Sequence, residues 1–369
     1  MRTLSLLLPL LSANIVTAAD LPKPSGDSIV SPDAKLELLF TRTAPIRGGL
    51  TEGPAAAPDG SIWFSDIPFG KDKGMILRFD PRTKHTAVLP GDNHLPADSH
   101  KSNGLKFDAK GSLIACEGSD EGGRCLSRYG IIDRRGKVRV TGNSRSVIAD
   151  RYQGKRFNAP NDLVIDTKDR IYFTDPRYLG DEPRELEHQA VYRLSYGRPG
   201  PAQVIEITHA LEKPNGIALS PDEKTLYVAD HNNGTDRIDP KAPPPKPGAM
   251  KVYAFPLDSD GLVKGSAKVL IDFGTENGCD GMTVDAKGNV YLAVRSLKRP
   301  GIWVLDPDGK EVAYIATGPS QPDAKEPKGI PSNCCFGIGL ESKVLYITVD
   351  TSLYRIPLKV EGHHLPFEK

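Results

Sequence analysis

The chain has 369 residues, 38% of them apolar, and a formal net charge of +1. So balanced a charge, with no basic stripe, argues against a nucleic-acid partner. Its 36 glycines and 32 prolines suit many short strands joined by turns better than long helices.

The chain begins MRTLSLLLPLLSANIVTAAD: Arg2, a short apolar run from Leu4 to Leu11, then small residues at Ala18 and Ala19. This pattern predicts a signal peptide over residues 1–19 and an exported chain, periplasmic or secreted. A membrane span would need about 20 apolar residues, more than this run or any later one supplies. Residues 20–34 are expected to form a flexible segment, and residues 35–369 one folded domain. Export permits disulfides. Of the five cysteines, none has CxxC spacing, which disfavours a zinc cage. Cys116 and Cys125 are spaced to join across a hairpin; Cys279, Cys334 and Cys335 read as small core residues.

One pattern recurs along the rest of the chain: a polar residue, a short apolar strand, a Pro/Asp/Lys/Gly turn and a second apolar strand. It starts at Glu52 (EGPAAAPDGSIWFSD), Asn103 (NGLKFDAKGSLIACE), Asn161 (NDLVIDTKDRIYFTD), Asn215 (NGIALSPDEKTLYVAD), Asp280 (DGMTVDAKGNVYLAV) and Asn333 (NCCFGIGLESKVLYITV). Aligned on Trp63, Leu113, Tyr172, Tyr227, Tyr291 and Tyr346, the units are 50, 59, 55, 64 and 55 residues apart. Further strands are predicted between the hairpins around Leu77, Tyr192, Tyr253 and Trp303. The Pro-rich stretch from Asp239 reads as a rigid surface loop. A lone hairpin cannot bury its apolar face, but units of this length stacked in a ring can. The prediction is an all-β, six-bladed β-propeller. Its ring closes where KLELLFTR, from Lys35, pairs with SLYRIPL, from Ser352.

In a propeller, equivalent positions at the start of the innermost strands meet at one mouth of the channel. Glu52, Asn103, Asn161, Asn215, Asp280 and Asn333 would therefore converge. Two carboxylates and several amide oxygens suit Ca²⁺, Mg²⁺ or Mn²⁺ better than a soft metal. Without a cation, Glu52 and Asp280 would repel each other. Taken singly, each is also an ordinary turn former, Glu52 least so.

These segments, with TEGPAAAPDGSIWFSDIP, FNAPNDLVIDTKDRIYFTDP and the stretch TDPRY…PRELEHQAVYRL, resemble the senescence marker protein, gluconolactonase and luciferin-regenerating enzyme family. The likeness covers roughly residues 35 to 358 and is closest to the bacterial gluconolactonase-like branch. It implies a divalent cation held by Glu52, Asn161, Asn215 and Asp280, with Asn103 and Asn333 beside it; Ca²⁺ is the first expectation and Zn²⁺ a further option. It also implies hydrolysis of a sugar-type lactone, with the lactone or its sugar acid as the small-molecule partner. The chain departs from the family at Ile338, where a second glycine is usual, and at Ala55–Ala57, where bulkier residues are common. Some relatives place an arginine just before the third-blade Asn; here that stretch is NAPND.

For the chemistry, a bound cation polarises the ring carbonyl for attack by water. Asp280 is the first candidate base and Asp162 the second, with a metal-activated water as the third source of the nucleophile. Glu117, Arg177, Tyr178 and His231 are candidate substrate contacts with Asn103 and Asn333. No GxSxG motif occurs, which disfavours a serine nucleophile. Two rival readings stand beside the lactonase. One is a calcium-dependent propeller that cleaves other esters or phosphotriesters; the other is a propeller that only binds a sugar acid or a partner. A strictosidine-synthase-like propeller would lack the metal shell.

Overall fold

Each predicted hairpin forms, and each is the inner half of a four-stranded antiparallel sheet. The structure is a computed structural model describing residues 21–43, 48–70, 72–89, 98–131, 140–196, 202–235, 246–365 and 367. The predicted signal peptide and residues 239–245 of the Pro-rich stretch lie outside the described residues.

Blade one contains Leu50–Ala56, Ile62–Ile67, Met75–Asp80 and His85–Val88. Blade two contains Ser102–Phe107, Leu113–Glu117, Cys125–Ile131 and Val140–Ala149. Blade three contains Leu163–Ile165, Ile171–Asp175, Ala190–Tyr196 and Ala202–Thr208. Blade four contains Pro214–Leu219, Thr225–His231, Met250–Pro256 and Lys268–Asp272. Blade five contains Cys279–Val284, Val290–Val294, Gly301–Leu305 and Glu311–Ala316. Blade six takes Pro331–Phe336, Val344–Val349 and Ser352–Pro357 from the C-terminal end and Glu37–Thr41 from the N-terminal end. The predicted closure is present: Glu37 pairs with Arg355 and Thr41 with Ser352. The first strands touch in a closed ring, blade one against blades two and six. The fold is a six-bladed β-propeller.

The core lies between blades rather than inside them. One apolar cluster fills each interface: Trp63 with Phe107 between blades one and two, Leu163 with Ile114 between two and three, and so on round to Phe79 with Tyr346 between six and one. The aligned aromatic of the second strand serves this packing, and its polar tip returns to the turn that precedes it. Tyr172 and Tyr291 donate to Asp166 Oδ2 (3.3 Å) and Asp285 Oδ2 (3.0 Å). Those acids also accept the turn amides of Lys168 and Lys287. This explains the recurring Asp–x–x–Gly/Asp spacing, since Asp side chains cap such turns.

Two expectations are corrected. The segment after residue 20 is not loose: Ile29 and Val30 are buried among residues of blades five and six, and Ser25 bridges to Tyr314. Cys116 and Cys125 form no disulfide. Cys125 pairs with Glu117 and Cys116 with Leu126. Neighbouring residues on a strand point to opposite faces, so the two sulfurs lie on opposite faces of the blade.

At the end of the second strand, Asp175 accepts the amides of Asn158 and Ala159, both at 2.8 Å. Asp230 does the same for Glu212 and Lys213, and Asp350 for Gly329 and Ile330. These amides enter the first strands and lack a ladder partner. At the far end of the channel the C-terminal tail crosses beneath the ring. His363 N donates to Val284 O, and the His364 ring meets Gly337 O at 2.9 Å. Asp175→Ala should strip two buried amides of their acceptor and lower stability by about 2–5 kcal/mol. Denaturant titration checks this, and a loss within error would show that water replaces the carboxylate.

Candidate functional site

The polar residue that heads each repeat sits at an irregularity of the backbone. The register slips between Glu52 and Ala55, Ser102 and Leu105, Pro214 and Ile217, Cys279 and Met282, and Pro331 and Asn333. In blade three, pairing starts only at Leu163, just past Asn161 and Asp162. A bulge bends its strand and re-aims a side chain, here into the channel. Glycine after the head lets neighbouring blades close in. A Cβ on Gly53 would stand 2.2 Å from Asn103 O, and one on Gly216 2.2 Å from Asp280 O. Side chains of one blade then hold the next: Ser65 Oγ donates to Asn103 O (2.8 Å), Thr174 Oγ1 to Asn215 O (2.7 Å) and His231 Nδ1 to Cys279 O (3.0 Å).

Glu52, Asn103, Asn161, Asn215 and Asp280 line one cavity of about 390 Å³ with Tyr178 and His231. Asn215 Nδ2 donates to Tyr178 Oη at 3.0 Å, which turns its amide oxygen elsewhere. The Asn161 side chain makes no hydrogen bond among the described residues. Asn103 Oδ1 is buried without a donor. His231 is buried, and because Cys279 O can only accept, its Nδ1 carries the proton. Burial, with the charge of Arg295, holds that ring neutral, with a pKa lowered to about 3. Its Nε2 is therefore an acceptor.

The carboxylates are under electrostatic stress. Burial raises Glu52 well above its ordinary value, and the charge of Asp280 raises it further. Burial also raises Asp280, opposed by Arg295 and by a hydrogen bond from Asn215. Arg295 Nη1 donates to Asp280 Oδ2 at 2.9 Å.

No group of three or more His, Cys, Asp or Glu among the described residues is placed to hold a metal. A cation here would have to draw on carboxamides as well as carboxylates. The unpartnered Asn161 amide, the orphaned Asn103 oxygen and two mutually repelling carboxylates fit a hard cation.

Four of the predicted site residues do not line the cavity. Asp162 accepts Leu163 N (2.8 Å) and Asn333 Nδ2 (3.3 Å), so both Asp162 and Asn333 are engaged beneath the site. Glu117 faces the blade interior, where Arg145 Nε meets it at 2.6 Å and Cys125 donates to it. Arg177 turns inward to Asn158 O and Glu182 O. Sequence reasoning missed Arg295, although the repeat hinted at it. The residue paired with the one just before the head is Asp66, Glu117 and Asp230 in blades one, two and four but Val294 in blade five, and Arg295 directly follows it.

Residues 50–351 match the SMP-30/Gluconolactonase/LRE-like region. The chain belongs to that family. Among its relatives, a gluconolactonase of Zymomonas mobilis is 31% identical over 330 residues, 85% of this chain and 79% of that protein. The solved structure of a gluconolactonase from Xanthomonas campestris superposes with a TM-score of 0.67 at 26% identity, covering 91% of this chain and 94% of that one. A calcium-binding regucalcin of Agrobacterium tumefaciens, at 19% identity and a TM-score of 0.60 over 90% of this chain and 96% of its own, shares the fold.

A carboxyl whose folded pKa is raised stabilises below its ordinary value and loses that contribution as pH climbs through the folded one. In EDTA, the melting temperature should therefore fall as pH rises above the ordinary carboxylate range, and Glu52→Gln should flatten the slope. An unchanged slope in the variant would mean that Glu52 is not the strained group.

Proposed function

We propose that this family member is an exported, metal-dependent lactone hydrolase, with one divalent cation held by Glu52, Asn161, Asn215 and Asp280. The observation that carries the reading is the convergence of two buried, mutually repelling carboxylates with unpartnered amide oxygens in one cavity. The 31% identity to a gluconolactonase across most of both chains supports it. Oxygen-only donors favour Ca²⁺, with Mg²⁺ and Mn²⁺ next and Zn²⁺ last. Export rests on the N-terminal pattern alone.

A cation held there would polarise the lactone carbonyl and stabilise charge growing on its oxygen. The chain's own groups supply the rest. Arg295 occupies Asp280 Oδ2, which leaves Oδ1 to take a proton from the attacking water. Burial raises the basicity of that carboxylate, and a bound cation would lower it. The proton then passes to the ring oxygen as its bond to the carbonyl carbon breaks, giving the hydroxy acid. His231 Nε2 accepts from a ligand hydroxyl and orients the ring. Asp162, hydrogen-bonded below, steadies Asn333 and the backbone beside Asn161 rather than moving protons.

The test is hydrolysis of aldonolactones and simple γ- and δ-lactones after EDTA, with Ca²⁺, Mg²⁺, Mn²⁺ or Zn²⁺ restored singly. Turnover should require the metal, and Asp280→Ala should lower kcat/KM by about a hundredfold or more. Full activity in EDTA would remove the cation from the mechanism. No turnover with any metal, while Ca²⁺ still raised the melting temperature, would favour a binding propeller.

A further inference from the structure

The cavity changes character with depth. At its floor, Glu52 pairs with Ser65 across the first hairpin; two pairing steps outward, past Thr51 and Asp66, Leu50 pairs with Ile67. Residues two apart on a strand share a face, so Leu50 and Ile67 stand directly above the Glu52 pair. Two residues further out is Phe69. Across the mouth, Ala159 and Pro160 precede Asn161, and Leu179 follows Tyr178. All six apolar residues line the cavity.

Phe69 is 47% exposed and Leu179 39%. The other exposed large apolar side chains among the described residues are Leu38, Val88, Val147 and Val269, on outermost strands, and Leu340, on a short turn of blade six. Of these exposed side chains among the described residues, only Phe69 and Leu179 line this cavity. Both are also held in place from blade two. The buried Lys101 ammonium donates to the carbonyls on either side of Phe69, those of Pro68 (3.2 Å) and Gly70 (2.5 Å). Ser119 Oγ donates to Leu179 O at 2.6 Å. A protein that fixes two half-exposed apolar side chains over a polar floor presents them to something. A bare sugar lactone, hydroxylated all round, would leave much of the 390 Å³ unfilled and would place hydroxyls against Phe69 and Leu179, where nothing satisfies them.

We infer that the preferred ligand is a lactone carrying an apolar chain, its ring carbonyl at the Glu52–Asp280 floor and the chain lying between Phe69 and Leu179. This rests on the lactonase reading and narrows its substrate class. Apolar area buried on binding favours the longer chain, and each methylene adds to the effect.

The experiment compares δ-valerolactone, δ-hexalactone, δ-decalactone and glucono-δ-lactone with the metal-loaded enzyme. Calorimetric binding of their ring-opened hydroxy acids runs beside it. The ratio of kcat/KM for decalactone to that for valerolactone should reach about tenfold or more. Phe69→Ala and Leu179→Ala should each draw the ratio toward unity, while Phe69→Leu keeps most of it; unchanged melting temperatures exclude misfolding. A flat or inverted series, or a preference for glucono-δ-lactone that the Phe69 and Leu179 variants do not alter, overturns the inference and leaves the lactonase reading intact. If no lactone is turned over, the lactonase reading fails on its own and the calorimetry still decides. Tighter binding of the decalactone acid, lost in both alanine variants, supports the apolar subsite; equal binding of all the acids sinks it.

Discussion

Pairs of backbone amides decide where the site's side chains stand. The chain that enters each first strand crosses the top of the channel with N–H groups that no neighbouring strand can accept, and a buried amide without a partner is costly. In blades three, four and six an aspartate at the end of the second strand receives both. That clamp fixes the approach of the chain a few residues before the head residue, and the bulge then turns the head inward. In blades one and two the corresponding acids, Asp66 and Glu117, bind Arg42 and Arg145 instead. In blade five Val294 stands at that ladder position, and Arg295, directly after it, reaches the Asp280 carboxylate. An arginine just past the second strand of blade five thus puts the cavity's guanidinium beside one of its two carboxylates.

The convergence that this produces works against the stability of the bare ring. Glu52 and Asp280 each lose solvation on burial and raise each other's energy; Arg295 answers only part of that. Functional sites commonly keep such strain, offset by packing elsewhere. Here the offset is visible in the six apolar clusters between the blades.

Much of this was legible in the sequence because the fold is periodic. Six copies of one hairpin reveal the strand pattern, the closing strand from Lys35 and the phase of the head residues, each copy checking the others. Glu52, Asn161, Asn215 and Asp280 could be singled out for that reason. Direction was not legible where the repeat does not govern it. Glu117 ends its strand like Asp175, yet it faces a blade interior because Arg145, far along the chain, supplies its partner. Arg177 and Tyr178 are neighbours with opposite fates: one is drawn inward by Asn158 O, and the other bridges Asn215 and His231 O. The cysteine pair failed for a simpler reason, since spacing across a hairpin does not say which face each sulfur takes. The segment around Ile29 and Val30 carries too few apolar residues to signal a docked element.

The closure of blade six has a temporal side. Glu37–Thr41 is among the first described strands to be synthesised, and its partner, Ser352–Pro357, among the last. Until the C-terminal end emerges, that strand has no place to pair, and contacts so distant in sequence form slowly. An unpaired strand waiting on a nascent chain is a template for aggregation. The charged Lys35, Glu37 and Arg42 in and beside it blunt that hazard. The same arrangement makes the emergence of Ser352–Pro357 the moment at which an open fan of blades becomes a ring, so removing that strand would leave both Glu37–Thr41 and Val344–Val349 without a partner on that side.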